Sequence, residues 1–61
     1  MTPLPAIGAP ATRALEAQGI TTLELVAGRP ERRLLALHGV GPRAIRILQQ
    51  ALAEAGLDPL V

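Results

Sequence analysis

The sequence predicts an all-α fold, one compact bundle of four to five short helices over residues 1-61. Three observations carry that prediction. No segment alternates apolar and polar residues between turn signals, as a half-buried strand would. Pro10 with Gly19 and Pro42 with Gly56 bracket stretches of helical length. Proline suits the first turn of a helix and glycine the position just past its end. Inside the brackets apolar residues recur at helical spacing. They are Ala11, Ala14 and Leu15 in the first stretch, and Ala44/Ile45, Leu48, Ala51/Leu52 and Ala55 in the last.

The elements follow in order. Thr2 to Pro10 holds three prolines and a glycine and reads as a turn. Pro10 to about Gln18 is a helix, with Gly19 at its C′ position and Ile20 free to fold back onto the apolar face. Thr21-Thr22-Leu23-Glu24 has the form of a capping box, Thr21 capping and Glu24 answering three residues on. It opens a short helix ending near Gly28. Pro30 opens a third helix running to Leu37, with Glu31 well placed in its first turn and Leu34, Leu35 and Leu37 facing inward. The fourth and longest helix runs from Pro42 to about Ala55. Arg46, Gln50 and Glu54 line its polar face at i, i+4. Gly56 ends it, and Asp58-Pro59 begins a short tail.

Leu37-His38-Gly39-Val40-Gly41-Pro42-Arg43-Ala44-Ile45 organises the rest. Two glycines permit a reversal with φ > 0, and Gly41 is expected to adopt it. Val40, between them, plugs the angle between the flanking helices. The turn then exposes backbone N–H groups beside a helix N-terminus, an arrangement that binds anions. Leu4-Pro5-Ala6-Ile7-Gly8-Ala9-Pro10 is a degraded first copy. Leu4 pairs with Leu37, Ile7 with Val40 and Gly8 with Gly41, at an offset of 33. Ala6 stands where Gly39 stands. Glu16-Ala17-Gln18-Gly19-Ile20 echoes Ala53-Glu54-Ala55-Gly56-Leu57 at an offset of 37, so the last helix is longer than the first by one turn. The chain reads as two related halves, the first lacking its opening helix.

Composition limits the function. A 61-residue chain is one small domain, burying only about 60% of its unfolded surface. With no cysteine it has neither disulfide nor thiolate metal site. With no aromatic residue its core is Leu, Ile, Val and Ala, and no ring can stack on a base. Six arginines face five interspersed acids for a net charge of +1, too little for a generally basic protein. No signal-peptide pattern opens the chain. The longest apolar runs are four residues, as in Leu34 to Leu37, which excludes a transmembrane helix. The expected location is cytoplasmic, nucleoid-associated if the chain binds DNA, with no membrane partner.

The central stretch resembles the hairpin of helix-hairpin-helix domains, whose usual form is Leu-Pro-Gly-Ile-Gly-Pro-x-x-Ala. Leu37, Gly39, Val40, Gly41 and Pro42 match in type, and His38 replaces the usual proline. Such hairpins hold a backbone phosphate on their turn amides without reading bases. From Ala14 to Ile45 the order is apolar helix end, Gly-Ile-Thr-Thr-Leu, short helix, Leu-Leu and hairpin. This is similar to the C-terminal domain of the bacterial RNA polymerase α subunit, over roughly residues 4 to 57. The resemblance implies a tandem helix-hairpin-helix, SAM-domain-like fold. Its parts are a degenerate first hairpin at 4-20, a connector helix at 21-28 and a second hairpin at 30-56. It also implies phosphate contact at Gly39, Gly41 and Arg43. The family's principal minor-groove arginine falls near Pro10, where Arg13, one turn on, is the nearest replacement. Sequence-independent backbone contact is therefore implied rather than promoter reading.

The candidate DNA-phosphate residues are Gly39, Val40, Gly41, Arg43, Arg46, Arg13 and His38. Arg43 and Arg46 sit where the helix dipole disfavours cations by about 0.3–1 kcal/mol each. An anion sharing the site explains them; solvated surface arginines are the alternative. Arg29, Arg32 and Arg33 form a second basic group. Arg33 either pairs with Glu31 or Glu24, or lines the same side. His38, the only histidine, caps the third helix or touches phosphate, and cannot build a metal site alone. Capping explains Thr21 and Thr22. No nucleophile–base pair, carboxylate cluster or phosphate-gripping lysine is present, so no enzyme, cofactor or small-molecule substrate is expected. The expected function is non-enzymatic DNA binding through backbone phosphates. The alternative is a protein-interaction or dimerisation module of the same fold. A chain that is 49% hydrophobic at this size leaves apolar surface for a larger protein or a second copy to cover.

Overall fold

The computed structural model describes residues 1–61 and contains four helices: α1 (Ala9–Ala17), α2 (Leu23–Val26), α3 (Glu31–Leu35) and α4 (Pro42–Glu54). No strand forms. The one extended pairing is an isolated antiparallel bridge between Pro3 and Thr22. No helix is long and apolar enough to cross a membrane.

The two longer helices start and stop where proline and glycine place them. Pro42 is the first residue of α4, and Pro10 the second of α1. Both positions lie in the first turn, where a missing N–H leaves no bond unmade. Both helices end in the same glycine motif. At α1, Gly19 has φ 75°. Its N–H donates to the Glu16 carbonyl, and the Ile20 N–H to the Leu15 carbonyl, each at 2.9 Å. At α4, Gly56 has φ 69°. Its N–H reaches the Ala53 carbonyl at 3.2 Å, and the Leu57 N–H the Leu52 carbonyl at 2.9 Å. The reversal folds Ile20 into the core and packs Leu57 against it. Helix α1 has nine residues and α4 thirteen, the expected difference of about one turn.

The two short helices are closed at their N-termini by distant chain. The capping box is not formed. Thr22, not Thr21, precedes α2, and it makes no side-chain cap bond. The Leu23 N–H donates instead to the Thr2 carbonyl at 2.8 Å. Glu24 does not reach back to Thr21. One of its carboxylate oxygens accepts from the Thr2 N–H at 2.8 Å and the other from the Thr2 hydroxyl at 2.7 Å. Helix α3 is treated likewise. Its first N–H, on Glu31, donates to the Val61 carbonyl at 2.8 Å, and the Val61 N–H returns to the Arg29 carbonyl at 3.0 Å. The tail after Asp58-Pro59 is thus part of the fold, and it buries Leu60. Pro30 caps α3 rather than opening it, and α3 stops at Leu35, short of the expected Leu37.

The core is aliphatic throughout. Leu15, Ile20, Leu23, Val26, Leu48 and Leu52 are its most deeply buried side chains, and no polar side chain is buried with them. Each large one contributes about 1.5–3 kcal/mol by leaving water. Helices α2 and α3 pack on α4, while α1 adds Ala11 and Leu15 to the same cluster. Ala44, Ile45, Leu48 and Leu52 form the buried stripe of α4, with Arg46, Gln50 and Glu54 outside. Leu34 faces inward and Leu37 packs against the core, but Leu35 points outward at 37% exposure. A five-residue helix buries only one of two adjacent leucines.

Candidate nucleic-acid interface

The second turn is built from Ala36 to Pro42. Helix α3 closes with the Ala36 N–H on the Arg32 carbonyl, and the chain tightens as the Leu37 N–H reaches the Leu34 carbonyl. The Val40 N–H then returns to the Leu37 carbonyl at 3.1 Å. Gly39 makes the reversal, with φ 98°. Gly41 does not have positive φ. It is extended, with φ −118° and ψ −179°, and serves as N-cap of α4. Its carbonyl accepts the first helical bond, from the Ile45 N–H at 3.1 Å. Only one of the two glycines therefore requires the left-handed region. Gly39 has a second constraint, since a β-carbon there would lie 2.8 Å from the Pro10 carbonyl oxygen. The second turn is pressed against the start of α1.

That approach makes a cleft of about 280 Å³. Ala6, Ile7 and Gly8 form one wall, and Gly39, Gly41, Arg43, Ala44 and Ile47 the other. The two related turns meet there. The N–H groups of Gly39, Gly41, Arg43 and Ala44 donate to no acceptor within the protein. Arg43 is the only charged residue lining the cleft. From Arg32 through Ala53 the chain carries four arginines and no carboxylate, and before Glu16 it carries only Arg13. The acids described above as interspersed are absent from both segments that form the turns. Glu24 is tied to Thr2, and Glu54 accepts from the Gln50 side chain at 3.3 Å. Residues with unbonded amides, the first turn of a thirteen-residue helix and one arginine line the cleft without a carboxylate.

The expected site residues separate in space. Gly39, Gly41 and Arg43 line the cleft together. Val40 turns its side chain into the core, as its place between the glycines predicts, but its amide is bonded to Leu37 and is not available to an anion. Arg46 and Arg13 are exposed on α4 and α1, outside the cleft lining. His38 is exposed, and its ring bonds no carbonyl of α3, so it does not cap that helix. Arg33 is bonded to neither Glu31 nor Glu24. The wall supplied by Ala6, Ile7 and Gly8 was not among the expected residues. The offset of 33 that relates the two turns is the signal that marks it.

Glu24 lies outside both turns. Hydrogen bonds from the Thr2 backbone N–H and then the Thr2 hydroxyl hold Glu24 at about 2, against an ordinary 4.5. This is a structural clasp on the N-terminal strap, not a group poised for proton transfer. Compared with protein-family models, curated proteins and solved structures, the chain finds no match.

Proposed function

We propose that this chain is a non-enzymatic module that grips the sugar-phosphate backbone of DNA with little regard to sequence. The cleft between its two turns takes one backbone phosphate. The Gly39, Gly41, Arg43 and Ala44 amides and the Arg43 guanidinium donate to it. On this reading the four helices are a tandem helix-hairpin-helix of the SAM-domain-like type, akin to the C-terminal domain of the bacterial RNA polymerase α subunit. The protein would act in the cytoplasm, on the nucleoid. The supporting observation is a cleft without a carboxylate, lined by one arginine and by residues whose amides have no acceptor in the protein. Arg46 and Arg13, exposed outside the lining, supply flanking phosphate contacts.

A titration of labelled duplex DNA at two salt concentrations tests the proposal. With ~2–4 phosphates contacted, Kd falls between about 10⁻⁴ and 10⁻⁶ M, and log K drops with log salt at a slope of about −0.9 per phosphate. Arg43→Glu removes most of the affinity. Salt-independent binding, or none at sub-millimolar protein in low salt, overturns the reading.

A further inference from the structure

A second cavity, of about 360 Å³, shares no residue with the cleft. It lies where the end of α1 faces the segment from Arg29 to Leu37. The glycine reversal at Gly19 lies between two of its lining residues, Gln18 and Ile20, and sends Ile20 inward. Pro30, Ala36 and Leu37 give it an apolar floor, with buried Ile20 and Leu34 beneath, and Arg29 and Arg33 also line it. No carboxylate lines it. The Arg29 Nε donates to the Leu25 carbonyl at 2.6 Å, which fixes that guanidinium while its two terminal nitrogens bond nothing in the protein. The Arg33 side chain has no hydrogen-bond partner.

We infer that this groove docks an acidic amphipathic segment of a partner protein, aliphatic side chains on the floor of Pro30, Ala36 and Leu37 and carboxylates on Arg29 and Arg33. Charge complementarity selects the occupant. Two uncompensated cations beside an apolar floor are satisfied by a ligand carrying both anionic and aliphatic groups. Planar guanidinium groups match carboxylates in a two-bond fork, and Arg29 is already held, so less side-chain entropy is lost on binding. A nucleic-acid backbone offers nothing to the floor, and no aromatic ring is present to stack a base. A second copy of this chain does not fit, because each of its four helices carries a single carboxylate. The cavity is at the small end of binding pockets, roughly 300–1,000 Å³, so the contact is weak and exchanging.

The inference does not depend on the DNA reading, and one experiment separates them. The full ¹⁵N-labelled chain is titrated with a synthetic helical peptide that carries a leucine stripe flanked by glutamates at i, i+4. A control peptide has glutamine at those glutamates. The acidic peptide is expected to shift the amides of Ile20 and of Arg29 to Leu37. The glutamine peptide and the Arg33→Glu variant each weaken binding on the order of tenfold, with Arg33→Gln intermediate. The Arg33 side chain bonds nothing, so Arg33→Gln keeps nearly the parent melting curve, and Arg33→Glu, an acid in the last turn of α3, lowers it slightly while staying folded; duplex DNA binding is unchanged in both. No shift in the groove, equal binding of the two peptides, or shifts centred elsewhere overturns the inference. So does a duplex that shifts the same amides, or loss of DNA affinity in Arg33→Glu, since the groove would then be nucleic-acid surface.

Discussion

The turn at Ala6-Ile7-Gly8 and the turn at Gly39-Val40-Gly41 are related in sequence but run differently through space. In both, the last glycine is the N-cap of a helix that begins with proline in its first turn. In both, an aliphatic residue precedes that glycine and packs on the core. The backbone route differs. Gly8 has φ 93° and ψ 152°, whereas its counterpart Gly41 is extended. The left-handed residue of the second turn is Gly39, and no non-glycine residue, Ala6 included, has positive φ. What precedes each turn explains the change. The second is entered from helix α3, so the chain must reverse before the cap. The first is entered from an extended strap held against Thr22 and Glu24, so it bends at the cap itself. The repeat preserved what each turn does for its helix, while the neighbours set how the chain gets there. By contrast, the glycine ends at Gly19 and Gly56 are conformational copies, because that motif depends only on its own residues.

Leu15 and Leu52 occupy the same place in the two glycine ends, and both are fully buried. Truncating either to alanine costs about 2–5 kcal/mol. For a domain this small that is most of its stability, so neither variant shows a cooperative melt at 37 °C. One variant melting like the parent means that the halves are not equivalent where they are buried.

Glycine substitutions come next. Gly39→Ala combines positive φ with a 2.8 Å approach to the Pro10 carbonyl, and Gly8→Ala has the strained backbone alone. Strain of this kind costs about 1–3 kcal/mol, and Gly39→Ala exceeds Gly8→Ala. Gly41→Ala, extended and with open space at the β-carbon, leaves the melting temperature nearly unchanged. Chemical denaturation of the three ranks them. A Gly41 variant as damaged as Gly39 refutes the assigned turn.

The arginines separate fold from binding. Arg43→Glu/Arg46→Glu places acids near the start of α4, where each stabilises a helix by about 0.3–1 kcal/mol, yet repels a docking phosphate. Melting temperature rises slightly while DNA affinity falls, and the single Arg43→Glu accounts for most of the fall because Arg43 lines the cleft and Arg46 does not. Undiminished DNA binding by the double variant reduces the cleft to a turn.

The smallest effect tests the strap that replaces the missing first helix. Glu24 ionises more readily folded than unfolded, so its contribution is present above the unfolded value near 4.5 and is lost as pH falls through about 2. The stability difference between the parent and Glu24→Gln therefore shrinks across that window. A difference independent of pH shows that the Thr2–Glu24 clasp does not form in solution.

The sequence alone determined the all-α class, the limits of α1 and α4, the glycine ends, the buried stripe of α4 and the stretch from which Gly39, Gly41 and Arg43 come. Those features depend on proline, on glycine and on helical periodicity, which act over a few residues. Tertiary structure decided the rest. Thr21 and Glu24 match a capping box, but Thr2 competes for the same carboxylate and wins by supplying two donors. Which glycine turns left-handed follows from how the chain enters the turn from α3, and residue 39 is further held to glycine by Pro10, twenty-nine positions away. The first N–H groups of α2 and α3 are satisfied by Thr2 and Val61, partners that no local pattern names. A helix of four or five residues cannot satisfy its own ends, so its partners must come from wherever the folded chain brings a carbonyl.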